Sequence, residues 1–119
     1  MELIEILQAL NACHGPSGSE GAVAGVLRTL AAPYVDSCTT DALGNLIVFK
    51  RGRKQAGHKL MLCAHMDEVG FIVKRITEDG YLKFAAVGGI DRRVVIGKKV
   101  FVGVGKVPGI IGLKAVHLT

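Results

Sequence analysis

Residues 59–76 read Lys-Leu-Met-Leu-Cys-Ala-His-Met-Asp-Glu-Val-Gly-Phe-Ile-Val-Lys-Arg-Ile. The unbroken apolar run Leu60 to Ala64 has the form of a short strand buried on both faces. Polar His65, Asp67 and Glu68 arrive abruptly at its end, and a second apolar run, Val69 to Val73, follows them. The pattern predicts a buried central strand that delivers titratable groups to its carboxyl end, the edge at which open α/β sheets bind ligands.

His65-Met66-Asp67 has the chemistry of a metal ligand beside its orienting partner. A neutral imidazole binds a divalent metal through one nitrogen, and its other N–H needs an acceptor to fix the tautomer and the ring plane. A carboxylate two residues away can reach that N–H. Glu68 is open to three roles: a ligand, a general base or a surface charge. Taken alone, His-x-Asp-Glu is more often a hydrogen-bonded turn with solvated acids, because a metal site takes three or four ligands.

Upstream, Leu3, Ile4, Leu7 and Leu10 recur at helical spacing and predict a first amphipathic helix from Glu2 to Ala12. His14-Gly15-Pro16-Ser17-Gly18 breaks it. Ser19 has the chemistry of an N-cap for a second helix, with Ala22, Val23, Val26, Leu27 and Leu30 on one face until Pro33. A Gly-Pro-Ser-Gly-Ser loop ahead of a helix can cradle an anion but more often only connects helices. His14 reads as a loop histidine. Val35 to Thr40 and Leu46 to Lys50 then read as two strands turned by Asp41 to Asn45.

Downstream of Gly70 the helical period is gone. Phe71 to Ile76, Tyr81 to Val87, Val94 to Ile96, Lys99 to Val104 and Pro108 to Leu113 are short β-type runs separated by glycines. Such spacing predicts a small β-barrel or compact sheet module, with a domain boundary near Gly70. Residues 1–69 and 70–119 are the expected segments.

The chain has 119 residues, enough for one domain, and a net charge of +5 from 15 Lys and Arg against 10 Asp and Glu. The basic residues fall in scattered pairs such as Lys50-Arg51 and Arg92-Arg93, without aromatic interleaving, so no nucleic-acid partner is expected. No apolar segment is long enough for a membrane span, since Lys106, Pro108 and Lys114 interrupt the region Val100 to Val116. Met1-Glu2-Leu3 lacks the basic start of a signal peptide, so a cytoplasmic location is expected. Cys13, Cys38 and Cys63 have no Cys-x-x-Cys spacing and are expected to be buried free thiols. A hydrophobic share of 50% is high for so short a chain, and implies apolar surface meant for something beyond these residues.

Four motifs together carry a resemblance. Cys-Ala-His-Met-Asp-Glu-Val-Gly-Phe-Ile-Val, Gly-Pro-Ser-Gly-Ser-Glu upstream, Thr-Asp-Ala-Leu-Gly-Asn-Leu between them, and Gly-Ile-Ile-Gly-Leu-Lys-Ala-Val-His-Leu near the end resemble the M42 family of metallo-aminopeptidases in order and spacing. The resemblance implies the N-terminal part of a zinc-exopeptidase-like α/β catalytic domain, followed by part of an inserted β-barrel dimerisation domain. It implies two divalent metals, zinc or cobalt, with His65 as a metal ligand and Asp67 as the catalytic-site aspartate that orients it. It gives Glu68 no role. Peptide is the implied substrate, and the β-rich insert implies a homo-oligomer.

By the same resemblance the remaining ligands and the general base lie beyond Thr119, and the chain corresponds to roughly a third of a full two-domain enzyme. The 119 residues alone are expected to be inactive and not to retain the metals. Asp91 and His117 are the residues that would have to complete an alternative site. Two other readings stay open: a glucanase-like hydrolase, a description also applied to proteins of this family, and a non-catalytic self-association module.

Overall fold

The structure, a computed structural model, describes residues 2–54 and 57–113. Helix α1 spans Leu3–Asn11 and α2 spans Gly21–Ala31, followed by a 3-10 turn at Ala32–Tyr34 that contains Pro33. Among the described residues six strands follow: β1 (Ser37–Thr40), β2 (Leu46–Phe49), β3 (Gly70–Ile76), β4 (Leu82–Val87), β5 (Lys99–Val102) and β6 (Val107–Ile110). They form three antiparallel two-stranded hairpins, β1–β2, β3–β4 and β5–β6. The chain divides between Gly88 and Gly89 into two compact units. The first takes in both helices and two hairpins, and the second the β5–β6 hairpin.

In the first unit α1 is capped by Glu2, whose N–H donates to the Glu5 carboxylate at 2.8 Å. An acid in the first turn also suits the positive end of the helix. The cap of α2 is Glu20, one residue later than expected. Ser19 is committed to a turn, its N–H donating to the Pro16 carbonyl at 2.8 Å, while Ala24 makes an early helical bond to Glu20. Arg28 near the end of α2 ties the helix to β1 by donating to the Cys38 carbonyl at 3.2 Å and to Thr40 Oγ1 at 2.6 Å.

Asp41 organises the β1–β2 turn. Its carboxylate accepts from the N–H groups of Leu43 (3.0 Å) and Asn45 (2.9 Å) and from Asn45 Nδ2 (2.8 Å), an Asx turn in which Gly44 takes the left-handed conformation at φ 89°. The β3–β4 hairpin turns at Glu78-Asp79-Gly80, where Thr77 Oγ1 accepts the Tyr81 N–H at 2.9 Å. Its ladder slips between Val73 and Arg75, leaving Lys74 as a bulge. Phe71 and Phe84 meet edge to face across it, with ring centroids 4.8 Å apart.

In the second unit the Ile111 N–H donates to the Lys98 carbonyl at 3.0 Å and Gly97 N–H to the Ile111 carbonyl at 2.8 Å, so pairing runs on past the named strands. Among the described residues of this unit Ile111 is the buried one, 5% exposed.

Three expectations need correction. Leu60 to Ala64 is no central strand: among the described residues none pairs with it, and Leu60, Met61 and Leu62 are 84%, 82% and 87% exposed. An apolar run forms a strand only where a neighbouring ladder receives its N–H and C=O groups. Val94 to Ile96 is not a strand either, because Val94 N–H donates to Asp91 and Lys98 N–H to Val95, bending the segment into consecutive turns. The cysteines are free but not buried, Cys13 and Cys38 being half-buried and Cys63 exposed. The apolar excess does lie on the surface. Among the described residues only Val23 and Ile111 are buried large hydrophobics.

Two outcomes are expected from these contacts. A Cβ added at Gly15 would stand 2.7 Å from Val23 Cγ2, so Gly15→Ala should lower stability by about 1–3 kcal/mol, read from a urea midpoint. The hydrogen bonds from Asn45, side chain first, hold the Asp41 carboxyl below its ordinary range. A depressed folded value stabilises the turn above the ordinary aspartate range, and this contribution is lost as pH falls through the lowered value. The amide signals of Leu43 and Asn45 should therefore hold steady through the ordinary aspartate range and move together only as pH falls below it; in Asp41→Asn they should stay flat.

Candidate metal-binding turn

The turn His65 to Glu68 lies between β2 and β3, in the first unit. It is held from the loop that follows α1. The Glu68 N–H donates to the Gly15 carbonyl at 2.8 Å, the Gly15 N–H donates back to Glu68 Oε1 at 3.0 Å, and Pro16 and Glu68 form a parallel bridge. Gly70 makes this approach possible, because a Cβ there would come within 3.0 Å of Pro16 Cβ. The Gly-Pro-Ser-Gly-Ser loop does connect two helices, but two of its amides are spoken for by acids of this chain, Gly15 by Glu68 and Gly18 by Glu20.

His65 Nδ1 faces two oxygens of Asp67, the backbone carbonyl at 3.0 Å and Oδ1 at 3.1 Å. A carbonyl oxygen only accepts, so this contact takes its proton from Nδ1, which in the neutral ring leaves Nε2 as the acceptor nitrogen. The imidazole is 85% exposed and the Asp67 side chain 42%. The two border an open cleft of about 480 Å³ whose other walls include Val23 and Leu27 of α2 and Cys13. A solvent-accessible imidazole with one ring nitrogen so engaged has the chemistry of a monodentate metal ligand, and a carboxylate neighbour is the usual second partner of such a ligand.

The donor chemistry thus fits one corner of a metal centre. Among the described residues no group of three or more His, Cys, Asp or Glu could hold an ion. Asp91, in the second unit, is engaged by Arg93, with contacts of 2.7 Å from Nη2 and 3.0 Å from Nε. That guanidinium keeps the Asp91 carboxyl below its usual range. His117 lies outside the described residues.

The contact sequence reasoning missed is the one from Gly15 to Glu68. The partners stand 53 residues apart, and no local spacing signals such a pair.

Residues 44–119 match the model of the M42 glutamyl aminopeptidase family. The glutamyl aminopeptidase of Lactococcus lactis is 34% identical over 121 residues, an alignment covering 99% of this chain and 34% of that protein. Among solved structures, an endoglucanase from Thermotoga maritima is 44% identical with a TM-score of 0.83, covering 91% of this chain and 34% of the other. The Pyrococcus horikoshii TET1 peptidase, described as assembling into a tetrahedron or a large octahedral shell, is 33% identical with a TM-score of 0.80, covering 99% of this chain and 35% of the other. The chain spans about a third of the length of each. With the family model over most of its length and solved relatives sharing its mixed helix and strand arrangement, the chain belongs to the M42 glutamyl aminopeptidase family.

Proposed function

We propose that this chain is the N-terminal portion of a metal-dependent aminopeptidase that removes N-terminal residues from peptides. The observation that carries the reading is the His65 imidazole, held through Nδ1 by Asp67 with Nε2 left for a metal. Divalent metal use goes with the family. In a two-metal centre, zinc or cobalt supplies polarisation of the peptide carbonyl and acidification of water. His65 contributes one ligating nitrogen. Asp67 fixes its ring plane and raises its basicity as a donor. Val23 and Leu27 are apolar residues lining the same cleft.

In this reading residues 1–69 belong to the catalytic domain and residues 70–119 to part of an inserted β-barrel used for dimerisation. A homo-oligomer built through the insert is supported by the assembly described for the TET1 peptidase and by the exposed Phe101, Val107 and Ile110 of the second unit. No described helix is long and apolar enough to cross a membrane. The three free thiols favour the reducing cytoplasm.

A second reading, hydrolysis of a glucan, has the Thermotoga maritima structure behind it. Its chemistry calls for two carboxylates flanking a sugar bond and no metal. An imidazole oriented by an aspartate suits the aminopeptidase better.

The intact protein should release amino acids from unblocked peptides, lose that activity to a chelator, and regain it with zinc or cobalt. Asp67→Asn should weaken metal binding about 10–100-fold, and His65→Ala should weaken it further; both are measured by titration calorimetry. Chelator-insensitive hydrolysis of a β-glucan, with none of peptides, would overturn the reading. The 119 residues expressed alone should neither retain metal through dialysis nor cleave peptides, since the described residues supply a single oriented imidazole.

A further inference from the structure

The aminopeptidase reading uses His65 and Asp67 and leaves Glu68 without a part. Glu68 is nevertheless the residue through which the turn is anchored. Its N–H donates to the Gly15 carbonyl at 2.8 Å, and its Oε1 accepts the Gly15 N–H at 3.0 Å. The two bonds close a ring between the turn and the loop after α1.

The geometry of one peptide group links this ring to the imidazole. The carbonyl of Asp67 and the N–H of Glu68 belong to the same planar trans unit, so they point in opposite directions. Where the N–H is aimed at Gly15, the carbonyl is turned away from it, and His65 Nδ1 sits 3.0 Å from that oxygen. Fixing the N–H therefore fixes one of the two acceptors that set the His65 tautomer. The backbone bond cannot be removed by mutation without a proline or a chemical substitution. The carboxylate bond to Gly15 can.

We propose that Glu68 is a positioning residue: by accepting the Gly15 N–H it holds the Asp67–Glu68 peptide in the orientation that keeps His65 protonated on Nδ1 and its Nε2 free for metal. Glu68 touches neither metal nor substrate in this role. The proposal rests on the reading of His65 as a metal ligand.

The test is the tautomer of His65, read from imidazole nitrogen shifts of the 15N-labelled intact protein, metal-free, about two pH units above the ordinary imidazole value. Wild type is compared with Glu68→Ala and Glu68→Gln. The amide oxygen of glutamine can accept the Gly15 N–H as the carboxylate does, so Glu68→Gln should keep the wild-type tautomer and Gly15 amide shift. Glu68→Ala should show a mixture of tautomers and a Gly15 amide that exchanges roughly three- to tenfold faster, the effect of one lost hydrogen bond. A wild-type tautomer in all three proteins would overturn the proposal. So would an equal shift in both variants, which would make the negative charge the cause and the Gly15 bond irrelevant. Retention in Glu68→Gln with loss in Glu68→Ala supports it, and the matched Gln variant separates it from a general loss of fold. Because the readout is a proton on a ring and not turnover, an inactive wild-type protein would count against the aminopeptidase reading while the tautomer comparison still decides the role of Glu68.

Discussion

The site depends on a peptide plane that serves two masters. Its N–H, from Glu68, is held by the Gly15 carbonyl, and its C=O, from Asp67, faces the imidazole of His65. A planar amide cannot satisfy one partner without committing the direction of the other. The loop between the helices thereby reaches the chemistry without contributing a functional side chain to it. Gly15 has to lie close to Val23 and Gly70 close to Pro16 for the two segments to meet, and in both places a methyl group would intrude.

What was legible in the sequence was local. The first helix announced itself through Leu3, Leu7 and Leu10, and the β1–β2 turn through Asp41, Gly44 and Asn45, because the forces that shape these elements act over a few residues. The His65 and Asp67 partnership was legible for the same reason, being a contact of two residues' separation. Leu60 to Ala64 misled because hydrophobicity reports a demand for burial, and a strand exists only if another segment meets that demand. Nothing among the described residues does. The tie from Gly15 to Glu68 was illegible because neither residue carries a distinctive pattern and 53 positions separate them.

The distribution of apolar surface sets the energetics. Burying one aliphatic side chain contributes roughly 1.5–3 kcal/mol, and among the described residues Val23 and Ile111 are the large ones that collect it in full. Backbone ladders and turn side chains add net contributions of about 0.5–1.5 kcal/mol per hydrogen bond. With Leu60-Met61-Leu62 exposed ahead of it, the segment carrying His65 is held chiefly from its downstream side, by the two bonds between Glu68 and Gly15.

Three separate hairpins also mean that every strand described is an edge. An unpaired edge is a template for a strand from another molecule, and charged residues, proline and bulges are the usual deterrents. The β3–β4 hairpin carries Lys74 at its bulge with Arg75 and Lys83, and the β5–β6 hairpin carries Lys99 and Pro108. The β1–β2 hairpin, Ser-Cys-Thr-Thr against Leu-Ile-Val-Phe, carries neither charge nor proline within its strands. Among the described strands, Leu46–Phe49 accordingly carries the fewest of these deterrents to strand addition.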